Sequence, residues 1–394
     1  MVPDIPNATR RLRVVLLSEV LPAKTSGGEL VLYRHLIEDG HLDALVLKTS
    51  PRWLFQSPLW RRLKCSRLLY FLFTIIEEIC QRSTPASEAL RGAAIFQPDI
   101  IMTVAHGSSY RQAVGLARRL QRPLVTIFHD WWPDNYSRWS PLRWLANRRF
   151  HRVAKQSSLC LCISLPMLQQ LRCTSHSVVI LPIPGRRLLR RDSQLDPASG
   201  IFRIGYFGNL YDYAPMLGEL LDASQGQGDV KFELRGSNPN WSASRVQMYL
   251  EKKVLLPYAS ESDFETWLLN LDAVLCVASF DLRTRRLMET NFPSKLIEAL
   301  QFGKPIILWG PEYSSAIQWA RDKQACYCIT ESDPGAVMRE LKILREDGDL
   351  QRRLATTAVD LATTEFSFEA IQGQFMSLLT SLHSRTKSIG NDGI

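Results

Sequence analysis

Residues 292–310 read FPSKLIEALQFGKPIILWG, and their order decides the fold. Leu296, Ile297, Ala299 and Leu300 recur at helical spacing, Gly303 and Pro305 close that run, and the unbroken apolar stretch 306–309 follows at once. A helix that hands over directly to a strand apolar on both faces is half of a strand-helix-strand unit, the building block of a parallel sheet. The spacing predicts a helix of about three turns. Pro293 is at home in its first turn, because the N–H it lacks would be unpaired there. Lys295 is less at home, since the positive end of the helix dipole lies at the same place and an anion is needed to offset the repulsion. Ser294, Lys295 and Glu298 share the upstream face. A hydroxyl, an ammonium and free backbone N–H groups suit a phosphate, and a carboxylate one turn on suits two vicinal ribose hydroxyls. The bland alternative is an exposed Lys295 to Glu298 pair, worth roughly a few tenths of a kcal/mol.

Working outward, short apolar runs alternate with helical patterns along the whole chain. In the first half the strand candidates are 13–18, 44–48, 99–104, 123–128, 159–164 and 177–182. A polar, basic stretch at 186–200 breaks the pattern with Pro197 and Gly200 and reads as a connection. The pattern then restarts at 202–208, 230–236, 254–257, 273–279, 305–310 and 326–330. The expectation is an α/β protein with two doubly wound parallel sheets: a domain over 1–190, a linker over 191–200 and a second domain over 201–364. A helix at 365–382 returns to the first domain, and a disordered tail follows at 383–394. Ligands of such sheets sit outside the carboxyl ends of the strands, so a cleft between the domains is the expected site.

At 394 residues, with 45% hydrophobic and 22% charged residues, the composition excludes a disordered or fibrous chain. The net charge of +9 asks for an anionic partner. Basic clusters at 61–67, 148–152 and 185–192 each read, taken alone, as a solvated helix face. None carries a groove-reading motif, which argues against nucleic acid. The cysteine pairs 160/162 and 326/328 lie at alternate positions of apolar runs, which suits buried thiols in a reduced, cytoplasmic compartment. No signal-peptide core precedes the first strand. The stretch 53–73 combines tryptophans, arginines and an apolar run too short to span a bilayer, and could be a core helix or a helix at the inner face of a membrane.

Other candidates lie just past strand ends. Gly27 and Gly28 open a helix after the first strand and let backbone approach a ligand, without the G-x-G-x-x-G of dinucleotide enzymes. His106 and His129 follow two further strands, and Asp130, Trp131 and Trp132 give the second a polar and aromatic surface suited to a sugar or lipid. A packed loop is the competing reading.

Together the segments SGGELVLYRHL, PDIIMTVAHGSS, RPLVTIFHD, FRIGYFGNL, LDAVLCV and above all FPSKLIEALQFGKPIILWG resemble the retaining glycosyltransferases of family 4, over roughly residues 12–382. The resemblance implies a GT-B fold, two Rossmann-like domains facing across a cleft. It implies sugar transfer from a nucleoside diphosphate donor with retention, no cofactor and no metal, to a glycan or lipid-linked acceptor. Gly27, Gly28, Gly208, Asn209, Arg235, Ser294, Lys295 and Glu298 would hold the donor. His129, Lys295 and Glu289 would serve the reaction, with His106, Asp130, Trp131 and Trp132 on the acceptor side. Two departures stand out. The position eight before Glu298, often glutamate in the family, is Thr290, with Glu289 beside it. The arginine and lysine often found after the first strand of the second domain are missing from YFGNLYDYAPM, so Lys295, aided by Arg235, would replace them. The alternatives are a sugar-nucleotide epimerase of the same fold and a non-catalytic partner subunit.

Overall fold

The computed structural model describes residues 10–25, 27–49, 85–107, 110–136, 140–173, 176–185, 200–257 and 261–391. The expected membrane stretch 53–73, the basic clusters 61–67 and 186–192, and nearly all of the linker lie outside these residues. The chain forms two units, residues 1–180 with 372–394 and residues 181–371.

In the first unit β1 (Leu12–Ser18), β2 (Leu42–Lys48), β3 (Ile100–Val104), β4 (Leu124–Phe128), β5 (Leu159–Cys162) and β6 (Ser177–Val179) form one parallel sheet in the order β2-β1-β3-β4-β5-β6. β3 and β5 are buried at every position, which is why their sequences show no alternation; the one polar residue, Thr103 in β3, donates its hydroxyl proton to the Leu17 carbonyl. The helices are α1 (Gly27–Tyr33), α2 (Ser87–Phe96), α3 (Tyr110–Leu120), α4 (Pro141–Gln156) and α5 (Leu165–Leu171). Ser140 and Ser164 start α4 and α5 by accepting from the backbone N–H groups of Leu142 and Met167, each with a proline in the first turn. The thiols of Cys160 and Cys162 are buried within β5, and burial pushes Cys160 up to about 12 and Cys162 higher still.

In the second unit β7 (Phe202–Phe207), β8 (Val230–Arg235), β9 (Leu255–Leu256), β10 (Ala273–Val277), β11 (Ile306–Trp309) and β12 (Tyr327–Ile329) form a parallel sheet in the order β12-β11-β10-β7-β8-β9. Around it lie α6 (Leu210–Ala223), α7 (Ala243–Glu251), α8 (Glu261–Leu269), α9 (Arg285–Thr290), α10 (Ser294–Leu300), α11 (Ser315–Lys323), α12 (Pro334–Glu346) and α13 (Gly348–Thr363), before α14 (Phe368–Asn391) ends the chain. The strand order reverses between β1 and β3 in one sheet and between β7 and β10 in the other. Neighbouring connections leave in opposite directions at those points and open a crevice at the carboxyl ends.

All the expected strands are present, with two corrections among the helices. α10 has seven residues rather than three turns, and Pro293 precedes it as an extended cap. The amides of Gln301, Phe302 and Gly303 bond back three residues instead of four, and Gly303 then takes the left-handed conformation, φ +58°, so the last turn tightens and stops. The tail expected to be disordered from 383 is instead helical to Asn391, continuing α14 past its buried stripe of Phe375, Leu379 and Leu382. Among the described residues no helix is long and apolar enough to cross a membrane.

α1 runs into a π-helical turn, Arg34–Glu38, that buries His35 against α14. The Gln372 amide nitrogen donates to the His35 carbonyl at 3.0 Å, so its oxygen faces Nδ1 at 2.9 Å and the imidazole carries its proton there. Burial lowers this histidine to about 4, against a helping bond from Gln372. The unfolded chain, titrating near pH 6.5, binds the proton first, so stability is full above about 6.5 and is lost as the pH falls towards 4. His35→Gln should make the slope of unfolding free energy against pH shallower by up to about 1.4 kcal/mol per pH unit in that window, measured by denaturant titration. An unchanged slope would refute it.

Candidate functional site

The second unit builds its site where the strand order reverses. β7 ends at Phe207, and Gly208 follows with φ +122°, a conformation that favours glycine. Its amide donates to the Arg235 carbonyl at 3.0 Å. Asn209 caps α6, its Oδ1 accepting from the amides of Tyr211 at 2.8 Å and Asp212 at 3.1 Å. Tyr206 donates its hydroxyl proton to the Asn209 carbonyl at 2.6 Å, which ties the strand end to the helix start.

Lys295 comes to this point from α10. Its ammonium donates to Tyr206 Oη at 3.3 Å and lies 4.6 Å from the Tyr206 ring and 4.7 Å from the Tyr213 ring. Two ring faces attract a cation, but they do not neutralise it as a carboxylate would. No carboxylate pairs with Lys295 among the described residues, which removes the surface-pair reading. Burial lowers its pKa to about 8, partly offset by Cys276 on β10. The Lys295 side chain also passes close to Gly208, where a Cβ would lie 3.6 Å from its Cδ.

Ser294 and Glu298, both partly buried, lie on α10 beside and one turn beyond Lys295. Glu289 on α9 pairs with Arg285 at 2.7 Å, and the Arg285 guanidinium lies 4.7 Å from the Tyr313 ring. Thr290 is fully buried with its hydroxyl bonded to the Arg286 carbonyl at 2.8 Å, so a glutamate there would need a different local packing. Arg235 ends β8 with its guanidinium bonded to the Pro257 carbonyl at 2.6 Å and 5.0 Å from the Trp267 ring. Its charge is engaged there and not with the tyrosines around Lys295.

In the first unit His106 and His129 follow β3 and β4, stacked at 5.7 Å, with Trp132 4.0 Å from His106. His129 Nε2 lies 3.2 Å from Asp130 Oδ2. Burial, then the charge of His129, lower His106 to about 4, despite the pull of Asp130. For Asp130, burial alone would raise the carboxyl; the hydrogen bond from His129 and the two imidazoles outweigh it and hold it low. His106, His129 and Asp130 offer ligand atoms within 4.8 Å of one another, a set that could hold a metal ion. Trp131 corrects an expectation. It is 3% exposed, donates Nε1 to Asn147 at 2.9 Å and packs 5.0 Å from Phe150, so it belongs to the core and not to an acceptor surface.

Glu19, just after β1, escaped the sequence reading. A Cβ on Gly107 would lie 2.1 Å from its carboxylate, so glycine is required there for Glu19 to approach the His106 loop. Its place directly past the first strand was the available signal. Gly27 opens α1 at φ +58°, and a Cβ on Gly27 or Gly28 would meet open space, so neither glycine is required by packing.

Two α/β units, each built on a parallel six-stranded sheet, define a GT-B-like fold. Residues 30–182 match the family model described as Glycosyltransferase Family 4, so this part of the chain is similar to that family. Comparison with curated proteins finds no match. Among solved structures, Anabaena Alr3699/HepE in complex with UDP and glucose is 17% identical with a TM-score of 0.64, covering 94% of this chain and 100% of its own. A glycosyltransferase from Rickettsia africae is 12% identical with a TM-score of 0.61, over 94% and 98% of the two chains. Trehalose 6-phosphate synthase from Burkholderia multivorans is 12% identical with a TM-score of 0.56, over 96% and 98%.

The loops after β7 and β8 touch through glycine. A Cβ on Gly236 would fall 2.2 Å from the Gly208 carbonyl and 2.7 Å from Leu210 Cγ. Gly236→Ala should therefore cost about 1–3 kcal/mol and displace Gly208, seen as a lower denaturant midpoint. A midpoint equal to that of the parent protein would show that the contact carries no weight.

Proposed function

We propose that the protein transfers a sugar from a nucleoside diphosphate donor to a glycan or lipid-linked acceptor, with retention at the anomeric carbon and without a metal. The carrying observation is Lys295: a cation brought to the β7/β10 crevice, caged by aromatic rings and given no carboxylate among the described residues. A ligand diphosphate supplies the anion this ammonium lacks. As the bond from the anomeric carbon to the diphosphate oxygen breaks, negative charge grows on that oxygen, and a fixed ammonium stabilises the product side more than the reactant.

In this reading Ser294 and the backbone at Gly208 and Asn209 bind the diphosphate beside Lys295, Glu298 accepts from the ribose hydroxyls, and Arg235 contributes once released from Pro257. Gly27 and Gly28 admit the donor close to backbone. His129 contacts the transferred sugar, oriented by Asp130, and Glu289 is the second candidate for that contact. The HepE structure, which holds UDP and glucose on a similar fold, supports a uridine donor as the first to try. A cytoplasmic protein at the inner face of a membrane, bound through 53–73, completes the proposal, and co-sedimentation with liposomes tests that part.

Release of nucleoside diphosphate from a panel of sugar nucleotides, UDP-glucose first, is the direct assay. His129→Ala should abolish turnover while leaving donor affinity within about twofold. Donor binding without any turnover would instead favour a non-catalytic partner subunit, and no binding across the panel would end the proposal.

Lys295→Ala should weaken donor binding by about 1.5–3 kcal/mol, read by calorimetry. Because burial sets Lys295 near 8, donor affinity should be steady below that pH and decline as the pH rises through it. The decline should be absent in Lys295→Ala. Equal pH profiles in the two proteins would remove Lys295 from the site.

A further inference from the structure

Two imidazoles and a carboxylate meet past the ends of β3 and β4 in the first unit. The register of that strand pair sets Val104 beside Ile127, and two residues further along each strand lie His106 and His129. Ala105 still donates to the Ile127 carbonyl at 2.8 Å, so the pairing holds right up to His106. Neighbouring parallel strands run about 4.8 Å apart, and side chains at matched positions share a face. The two rings accordingly stand nearly parallel, 9° between their planes, with centroids 5.7 Å apart. Asp130, next to His129 in sequence, brings Oδ2 to 3.2 Å from Nε2 of that ring. One ligand atom from each of the three residues lies within 4.8 Å of the others, and all three residues are half-buried.

A pair that orients His129 for catalysis needs only Asp130. It does not explain a second imidazole brought by strand register to the same point. Two nitrogens and a carboxylate oxygen are a donor set for zinc, three protein ligands with a fourth position left for water or another group. Magnesium and calcium take oxygen ligands in larger shells and fit this set poorly. With bonds of about 2.1 Å a tetrahedral zinc holds its donors about 3.4 Å apart, so side-chain rotations of about an ångström close the set around an ion. The donors stand at the ends of hydrogen-bonded strands, which keeps that adjustment small. Trp132 walls one side, its ring 4.0 Å from the His106 ring. Glu19 sets its carboxylate against Gly107, next to His106, and with Asp130 it supplies negative charge that favours a cation.

We propose that His106, His129 and Asp130 form a binding site for Zn²⁺, and that the bound ion opposes sugar transfer by taking the imidazole of His129. The opposition rests on His129 contacting the transferred sugar, as proposed above; the binding site does not. The ion is here an inhibitor and not a participant in the reaction.

Calorimetry with zinc chloride on the full chain, stripped beforehand with EDTA, tests the site. Binding is expected that persists in millimolar Mg²⁺ and weakens about tenfold or more in His106→Ala and in Asp130→Ala. Asp130→Asn preserves the side chain's size and keeps the test open should alanine impair folding, which circular dichroism would show. His41→Ala removes an exposed histidine outside the set and should leave the affinity unchanged. Zinc affinity equal in the parent protein, His106→Ala and Asp130→Asn overturns the site. In the transfer assay Zn²⁺ should inhibit the parent protein and EDTA should restore the rate. Transfer at full rate with saturating Zn²⁺ overturns the inhibitory role. Zinc binding that is lost in the variants, in a protein that turns over no donor, upholds the site and counts against the sugar-transfer reading alone.

Discussion

Everything in the two units depends on parallel strand pairing with both sheet faces covered. A parallel pair cannot be closed by a tight turn, so each connection crosses over a face as a helix and every strand points its carboxyl end the same way. Where the order reverses, between β1 and β3 and between β7 and β10, adjacent crossovers part and leave backbone ends open to a ligand. Tyr206, Gly208 and Lys295 on one sheet, and Glu19, His106 and His129 on the other, come from segments distant in sequence for this reason alone.

Within that constraint the second unit spends its polar groups carefully. Tyr206 uses its hydroxyl proton on the Asn209 carbonyl, and the oxygen left over accepts from Lys295. The strand end, the cap of α6 and the start of α10 thus share one phenol. Glycine at 236 makes room for the loops to approach, glycine at 208 supplies the positive φ of the turn, and Thr290 is buried and bonded to its own helix.

The strands were legible because runs such as Leu159–Cys162 and Ala273–Val277 are apolar throughout, and a continuous run of that kind has few other homes. Helix ends were less so. Nothing local in Gln301 and Phe302 announces that the chain tightens there, since the choice of bonding three or four residues back depends on what packs above it. Lys295 was legible as an oddity of charge at a helix start, but its cage was not, because Tyr206 and Tyr213 are supplied by β7 and α6 more than eighty positions earlier. Trp131 misled for the same reason. Beside an aspartate and a proline it reads as surface, and only its partner Asn147, on a helix still to come, turns it inward.

The aromatic cage around Lys295 has a consequence for chemistry performed on the protein from outside. Burial lowers the pKa of this amine, so more of it is uncharged at neutral pH than of an ordinary surface lysine. Nucleophilicity belongs to the uncharged amine, so aldehydes and mild acylating reagents should find Lys295 ahead of its many solvated counterparts. A lysine held for its charge is thereby also a chemically distinct address, one through which a reporter group could be fixed to the floor of the crevice.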